Sequence, residues 1–234
     1  MRIGASLLTL SLVPLLACVL VFAEWLPRDM DRYADYRAAG RCAADSPVVK
    51  YEDCLRTAPF TVDGTRNKAG RSGSYQATLS GAPFWNGTVS FGDPDPLLAR
   101  LRPGDRVTGT VWRGDVVALG RGDVRQSTSV EPRDEPQMTA AIGTFAGLLA
   151  ALAFWLGTMR LTGPRDREPR TWAHYGKPLL ITLVGVCFGI GLPSVWLGLP
   201  WRLVPAVVVP FMVCAAWLLH RYRVASAASG PAAA

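Results

Sequence analysis

The stretch MTAAIGTFAGLLAALAFWLGTM, Met138–Met159, contains no charged residue. A helix rises ~1.5 Å per residue, so about 20 apolar residues cover a bilayer core. Three further runs share this character: Ile3–Ala23, Pro178–Trp201 and Leu203–Leu219. The last is at the short end of the range, and Pro200-Trp201-Arg202 marks a tight turn before it. Half of the 234 residues are hydrophobic, and these runs hold most of the uncharged stretches. The reading is a membrane α-helical protein with four transmembrane helices, over residues 1–23, 138–159, 178–201 and 203–220.

Orientation follows from positive charge, which accumulates on the cytoplasmic side. Arg2 precedes the first run, Arg160, Arg165, Arg167, Arg170 and Lys177 lie in the 160–177 loop, and Arg221 and Arg223 open the 221–234 tail. All fall on one side if both termini and that loop are cytoplasmic, with Arg202 the single dissenter. Residues 24–137 are then extracytoplasmic and carry 16 Lys+Arg against 16 Asp+Glu. The net charge of +7 therefore lies beside the helices, where topology and anionic lipid account for it. Nucleic-acid binding needs a basic patch on a folded domain, and none is expected.

Two processing signals compete with a plain anchor over residues 1–23. Leu15-Leu16-Ala17-Cys18 resembles a lipobox, and Val21-Phe22-Ala23 resembles a signal-peptidase site. The apolar run continues past Cys18, and it exceeds the length of a secretory core, so an uncleaved anchor is preferred. Cleavage after Ala23 is the alternative. Cys18, Cys187 and Cys214 read as apolar residues of the helices.

The outer segment begins with a lead-in, residues 24–56. Tyr33, Tyr36 and Ala39 recur at helical spacing, predicting a short helix within Glu24–Arg41, and Trp25 falls where an interfacial aromatic would sit. From residue 57 to 130 the pattern becomes short β runs separated by turn residues. Strands are expected over Thr57–Thr65, Ser74–Ser80, Phe84–Phe91, Arg106–Trp112, Val116–Leu119 and Asp123–Val130. The glycine-rich segment Asn67–Gly73 joins the first two. Asp95 is positioned to cap a helical turn through Leu97–Leu101, with Pro96 at its first position. This order suits a small extracytoplasmic all-β domain, either an OB-like barrel or an irregular sandwich. Tyr75, Phe84, Trp85, Phe91 and Trp112 are expected to fill its core, and residues 131–137 to link it to the second helix.

Cys42 and Cys54 lie in the lead-in. A zinc site would want four ligands, yet no other cysteine and no histidine falls in residues 24–137. A redox pair usually shows C-x-x-C spacing, which is missing here. The assigned compartment is oxidising, so a structural disulfide between Cys42 and Cys54 is predicted.

Catalytic signals are weak. With His174 and His220 both at the cytoplasmic boundary, a Ser-His-Asp or Cys-His arrangement outside is excluded. Asp93, Asp95, Asp105, Glu131, Asp134 and Glu135 read as turn and linker residues. Arg113-Gly114-Asp115 and Arg121-Gly122-Asp123 spell a cell-adhesion tripeptide, but each sits where a strand must turn. Neither an enzyme activity nor a cofactor is expected. The helices hold no ionisable group, which argues against ion coupling. Gly143-x-x-x-Gly147 and Gly185-x-x-x-Gly189 are small-residue pairs suited to helix packing. Pro193, Pro205 and Pro210 are expected to bend the last two helices.

Arginine outnumbers lysine 22 to 3. With that bias, Asp53-Cys54-Leu55-Arg56-Thr57 and the run Pro96–Asp115, PLLARLRPGDRVTGTVWRGD, resemble segments of actinobacterial integral membrane proteins without assigned activity. The resemblance implies a cell-membrane location and an extracytoplasmic β domain. The expectation is a multi-pass protein presenting a disulfide-bridged β domain for binding, sensing or envelope assembly. Its partners would be the lipid bilayer and either an envelope protein or a second copy of the chain. A transporter or channel subunit is the alternative, and a membrane-bound enzyme ranks below both.

Overall fold

The computed structural model describes residues 2–43, 51–70, 73–82, 85–133, 135–162 and 172–228. The chain divides into two units, a helical one of Met1–Met30 with Asp134–Ala234 and a β one of Asp31–Arg133.

The first helix, α1 (Arg2–Leu20), does not stop at Ala23. It passes through a π-helical turn, Val21–Trp25, and continues as α2 (Leu26–Ala38). The Leu26 N–H donates to the Val21 carbonyl, five residues back. That wider turn lets the chain pass Pro27, which has no N–H and whose ring crowds the preceding turn. The short helix expected over Glu24–Arg41 is thus the continuation of the first.

Three more helices follow: α3 (Glu135–Thr162), α4 (Lys177–Trp196) and α5 (Leu203–Ala228). A second π-helical turn, Trp172–Gly176, leads into α4. All four helical stretches are long and apolar enough to cross a membrane. Several expected bounds shift. α3 starts at Glu135 and absorbs part of the expected 131–137 linker, while α5 runs past residue 220 to Ala228. α4 ends at Trp196, short of residue 201, because Gly198 takes the left-handed conformation at φ 61°. The N–H groups of Leu197, Gly198 and Leu199 then cap the carbonyls of Pro193, Val195 and Ser194. Pro193 and Pro210 lie inside their helices. Pro205 instead occupies the first turn of α5, where a missing N–H breaks no intrahelical bond.

α1 packs along α3, and α3, α4 and α5 pack on one another. Leu179, Leu183, Val204, Val208 and Met212 form the buried seam of the last three helices. Glycines set the α1–α3 approach: a Cβ on Gly143 would collide with Val21 and Phe22, and one on Gly157 with Leu8. α1 therefore runs antiparallel to α3. With the α4–α5 turn, this gathers the ends that carry Arg2, Arg160, Lys177, Arg221 and Arg223 at one end of the bundle. At the opposite end, Asp29 accepts a hydrogen bond from Thr139, and the Gln137 amide donates to the Leu199 carbonyl at 3.0 Å.

The β unit is a six-stranded antiparallel sheet in the order β3-β2-β1-β4-β5-β6. Its strands are β1 (Arg56–Lys68), β2 (Ser74–Ala82), β3 (Trp85–Phe91), β4 (Arg106–Trp112), β5 (Asp115–Arg121) and β6 (Val124–Ser127). Each expected strand is present with bounds moved by a few residues; Phe84 lies outside the described residues. Register shifts at Val62/Gly64, Leu79/Ala82 and Thr110/Val111 are bulges that curl the sheet into a half barrel. Ser129, just past β6, donates to the Ser90 carbonyl on β3 at 2.8 Å, joining the two ends of the sheet.

Alternation places Ala58, Phe60 and Val62 of β1 inside with Ala77, Leu79, Val89 and Phe91. The segment between β3 and β4, which includes a 3-10 turn over Leu98–Arg100, plugs the concave side with Leu97, Leu98 and Leu101. Gly109 is required opposite Phe60, because any Cβ there would overlap the ring. The aromatic core differs from expectation. Phe60 and Phe91 are central, Tyr75 and Trp85 pack at the margin, and Trp112 is buried elsewhere.

The expected Asp95 cap is also replaced. The buried Gln126 of β6 accepts from the N–H groups of Leu97 at 2.9 Å and Leu98 at 2.8 Å, and its amide donates to the Asp93 carbonyl at 2.9 Å. A side chain 28 residues downstream thus satisfies the orphan donors at the start of the turn.

Candidate functional site

A set of ion-paired side chains in the β unit surrounds the disulfide. Cys42 and Cys54 are bonded, with their Cα atoms 5.0 Å apart. Backbone bonds from Cys42 N to Leu55 O and from Leu55 N to Gly40 O, at 3.1 and 2.8 Å, align the two arms beside the sulfurs. The bridge delivers Glu52 and Asp53 to fixed positions. Both Glu52 oxygens accept from Arg56, at 2.7 Å each, in the planar bidentate geometry that suits guanidinium.

Arg113 completes the cluster. It occupies the β4–β5 turn at φ 49°, followed by Gly114 at φ 86°, the paired left-handed conformations of a tight hairpin. Its backbone N–H donates to the Glu52 carbonyl at 3.1 Å. Its side chain donates to Asp53 and, at 2.8 Å, to Asp35 of α2. One arginine therefore ties the hairpin to the disulfide loop and to the helix. Hydrogen bonds donated to these carboxylates hold Arg56 and Arg113 still more firmly protonated than a free guanidinium.

Beside Arg113 lies Trp112, which is 2% exposed. The Arg113 guanidinium stands 4.6 Å from the indole centroid, and Tyr36 meets the ring edge-on with centroids 5.3 Å apart. The Trp112 indole N–H is buried without an acceptor among the described residues. The Tyr36 hydroxyl donates to Glu131 at 2.7 Å, and Arg32 donates to the Val130 carbonyl at 3.2 Å. Burial, then the hydrogen bond and charge of Glu131, push the Tyr36 phenol up to about 12. These contacts fasten the segment that enters the β unit to the segment that leaves it.

In chemical terms the cluster is a clamp. Cys42, Glu52 and Cys54 place possible donor atoms close together. Both sulfurs, however, are consumed in the disulfide rather than held as thiolates, and Arg56 occupies both Glu52 oxygens. The residues present do not make a metal donor set. The two tripeptides are likewise engaged: Arg113 as described, and Arg121 with Asp105.

The sequence-predicted packing glycines separate into two groups. Gly143 faces Val21 and Phe22 of the first π-helical turn, and Gly147 faces Cys18 of α1, whereas Gly185 and Gly189 have open space around them among the described residues. Of the predicted cations, Arg160 closes α3, Lys177 opens α4, and Arg221 lies near the end of α5 with its guanidinium 4.7 Å from the Trp217 centroid. Arg165, Arg167 and Arg170 lie outside the described residues. Two apolar clefts open between the helices. One, of about 260 Å³, is lined by Met138, Phe145 and Phe188; the other, of about 420 Å³, includes Trp155, Tyr175 and His220.

Sequence reading missed Asp35, Tyr36 and Gln126 as partners. The spacing of Tyr36 signalled a helix, but nothing local indicates contacts made 95 residues away. No protein-family model, curated protein or solved structure matches the chain.

Proposed function

We propose that the four apolar helices span the cell membrane, with the cationic end of the bundle in the cytoplasm, and that the β unit is an extracytoplasmic binding or assembly module. The carrying observation is charge asymmetry. The helix ends bearing Arg160, Lys177 and Arg221 fall together, while the chain leaves the bundle for the β unit at the other end. The disulfide supports the same side, since such bonds persist in oxidising compartments. Exposed Trp25 and Trp196 near that end suit the role of interfacial anchors in this reading.

For the β unit, a central β1 between β2 and β4, with a helical turn between β3 and β4, supports an OB-like reading. Its clamped, ion-paired surface suits a rigid recognition module. The clefts between α3, α4 and α5 favour the second reading, a transporter or channel subunit.

Reporter fusions test the topology. A periplasmically active phosphatase inserted after Gln137 should be active, and a cytoplasm-dependent fluorescent protein after Ala234 should fluoresce; the reverse pattern overturns the proposal. Deletion of Thr57–Val130 separates the two functions. Loss of phenotype with an intact helical bundle supports the binding module, and unchanged phenotype supports the transporter.

A further inference from the structure

Sheet edges in the β unit differ in how they are protected. Short length and charge keep an edge from pairing with another chain. β6 is four residues long and carries Arg125. β1 pairs with β4 only as far as Thr61, and the stretch beyond carries Asp63, Arg66 and Lys68. β3, at the other end of the sheet, has neither device. It is seven residues long, and the hairpin from Ser74 to Gly92 contains no charged residue. The register shows which of its backbone groups point outward. The Ser90 carbonyl accepts from Ser129, so it faces away from β2. In an antiparallel ladder such a residue belongs to a non-hydrogen-bonded pair, where side chains approach most closely. The side chains agree: Gln76 meets Ser90 at 3.4 Å and Thr78 meets Thr88 at 3.3 Å. The next irregularity puts its extra residue in β2, so alternation along β3 turns the N–H and C=O of Thr88 and Asn86 outward too. Both residues are exposed, and no described residue bonds these groups.

We infer that the Trp85–Thr88 edge of β3 pairs antiparallel with the same edge of a second copy of the chain, about a two-fold axis at Gly87. The inference deepens the assembly reading of the β unit and rests on it. Ser129 occupies the Ser90 carbonyl and stops the ladder there. Asn86 of each copy then lies opposite Thr88 of the other, and each residue both donates and accepts. Self-complementarity selects the second copy as occupant. A two-fold interface sets one patch against itself, so a charged edge would meet its own charge and be repelled. β3 brings only Asn86, Gly87 and Thr88 to the contact, small and uncharged. At the axis glycine meets glycine, and no side chain obstructs the approach.

Sedimentation equilibrium of the full chain in density-matched detergent tests this. The parent should be a concentration-dependent dimer. Thr88→Pro removes half of the donors, on an edge that tolerates proline because the lost N–H points away from β2. It should weaken dimerisation about thirtyfold, or ~2 kcal/mol at ~1.4 kcal/mol per tenfold. Thr88→Lys brings two cations close across the axis; it should also weaken dimerisation, and high salt should restore part of the loss. This second variant serves if Thr88→Pro does not keep the near-ultraviolet circular dichroism of the parent. A monomeric parent, or a dimer that no folded variant weakens, overturns the inference. A monomeric parent defeats self-pairing alone and leaves the edge to an extended segment of another protein. An unchanged phenotype after deletion of Thr57–Val130 defeats the assembly reading as well.

Discussion

Replacing Cys42 and Cys54 together by serine probes the clamp most directly. The bonded residues are 12 apart in sequence, and in the chain-entropy model closing such a loop is worth about 3 kcal/mol. For a unit of ~100 residues, each kcal/mol moves the melting temperature by about 4–8 °C. The Cys42→Ser/Cys54→Ser chain should therefore unfold its β unit about 12–24 °C earlier. The bridge also positions Asp53 for Arg113, so the two perturbations should couple. The pair is largely exposed, with side-chain exposures of 37% and 82%, which limits Arg113→Ala to about 1 kcal/mol with the disulfide intact. Without the bridge, Asp53 is no longer held, and Arg113→Ala should cost distinctly less. Thermal unfolding of the detergent-solubilised chain, followed by near-ultraviolet circular dichroism, measures all four proteins of the cycle. Dithiothreitol should reproduce the double substitution in the parent and leave the serine variant unchanged. A shift below about 3 °C, or an Arg113→Ala effect equal in both backgrounds, would refute the reasoning.

Other outcomes follow from single contacts. Gln126→Leu strips the acceptor from two buried N–H groups and should destabilise the β unit by about 2–4 kcal/mol, and Gln126→Glu, whose carboxylate would face the Asp93 carbonyl in place of a donor, should destabilise it as well; chemical denaturation reads both losses. Gly143→Leu should disrupt α1–α3 packing and yield aggregated or protease-sensitive protein, while Gly185→Leu, which meets open space, should behave as the parent in size-exclusion chromatography. Tyr36→Phe should remove one late-titrating phenol, at about 12, from the ultraviolet titration. A raised phenol pKa means that its contribution is complete below the ordinary value near 10 and lost as pH rises towards 12. The parent should lose stability across that window, and the variant should show a flatter profile there.

Local sequence carried much of this architecture. Uncharged runs long enough for a bilayer core identify four helices because length and polarity are local quantities. Period-two alternation in Ala58, Phe60 and Val62 locates a strand and its inner face for the same reason. The Cys42–Cys54 pair was legible by elimination, since residues 24–137 contain no histidine and no third cysteine. Helix and turn ends were less legible. The π-helical turn before Pro27 and the Gly198 cap depend on how a whole turn redistributes its hydrogen bonds, which residue propensities do not encode.

Tertiary structure alone decided which residues meet. Gly143-x-x-x-Gly147 and Gly185-x-x-x-Gly189 look equivalent as motifs, yet only the first faces α1. Spacing places residues on one helix face but does not choose the neighbour. Asp95 has the right residue type to cap a turn, but Gln126, supplied by sheet curvature from β6, reaches the donors instead. Arg113 reads as the first residue of a common tripeptide until folding brings Asp35 and Asp53 to its guanidinium. Composition and period are summed along the chain and survive without a fold; partnership depends on distances across it, and those exist only once the sheet has curled and the helices have packed.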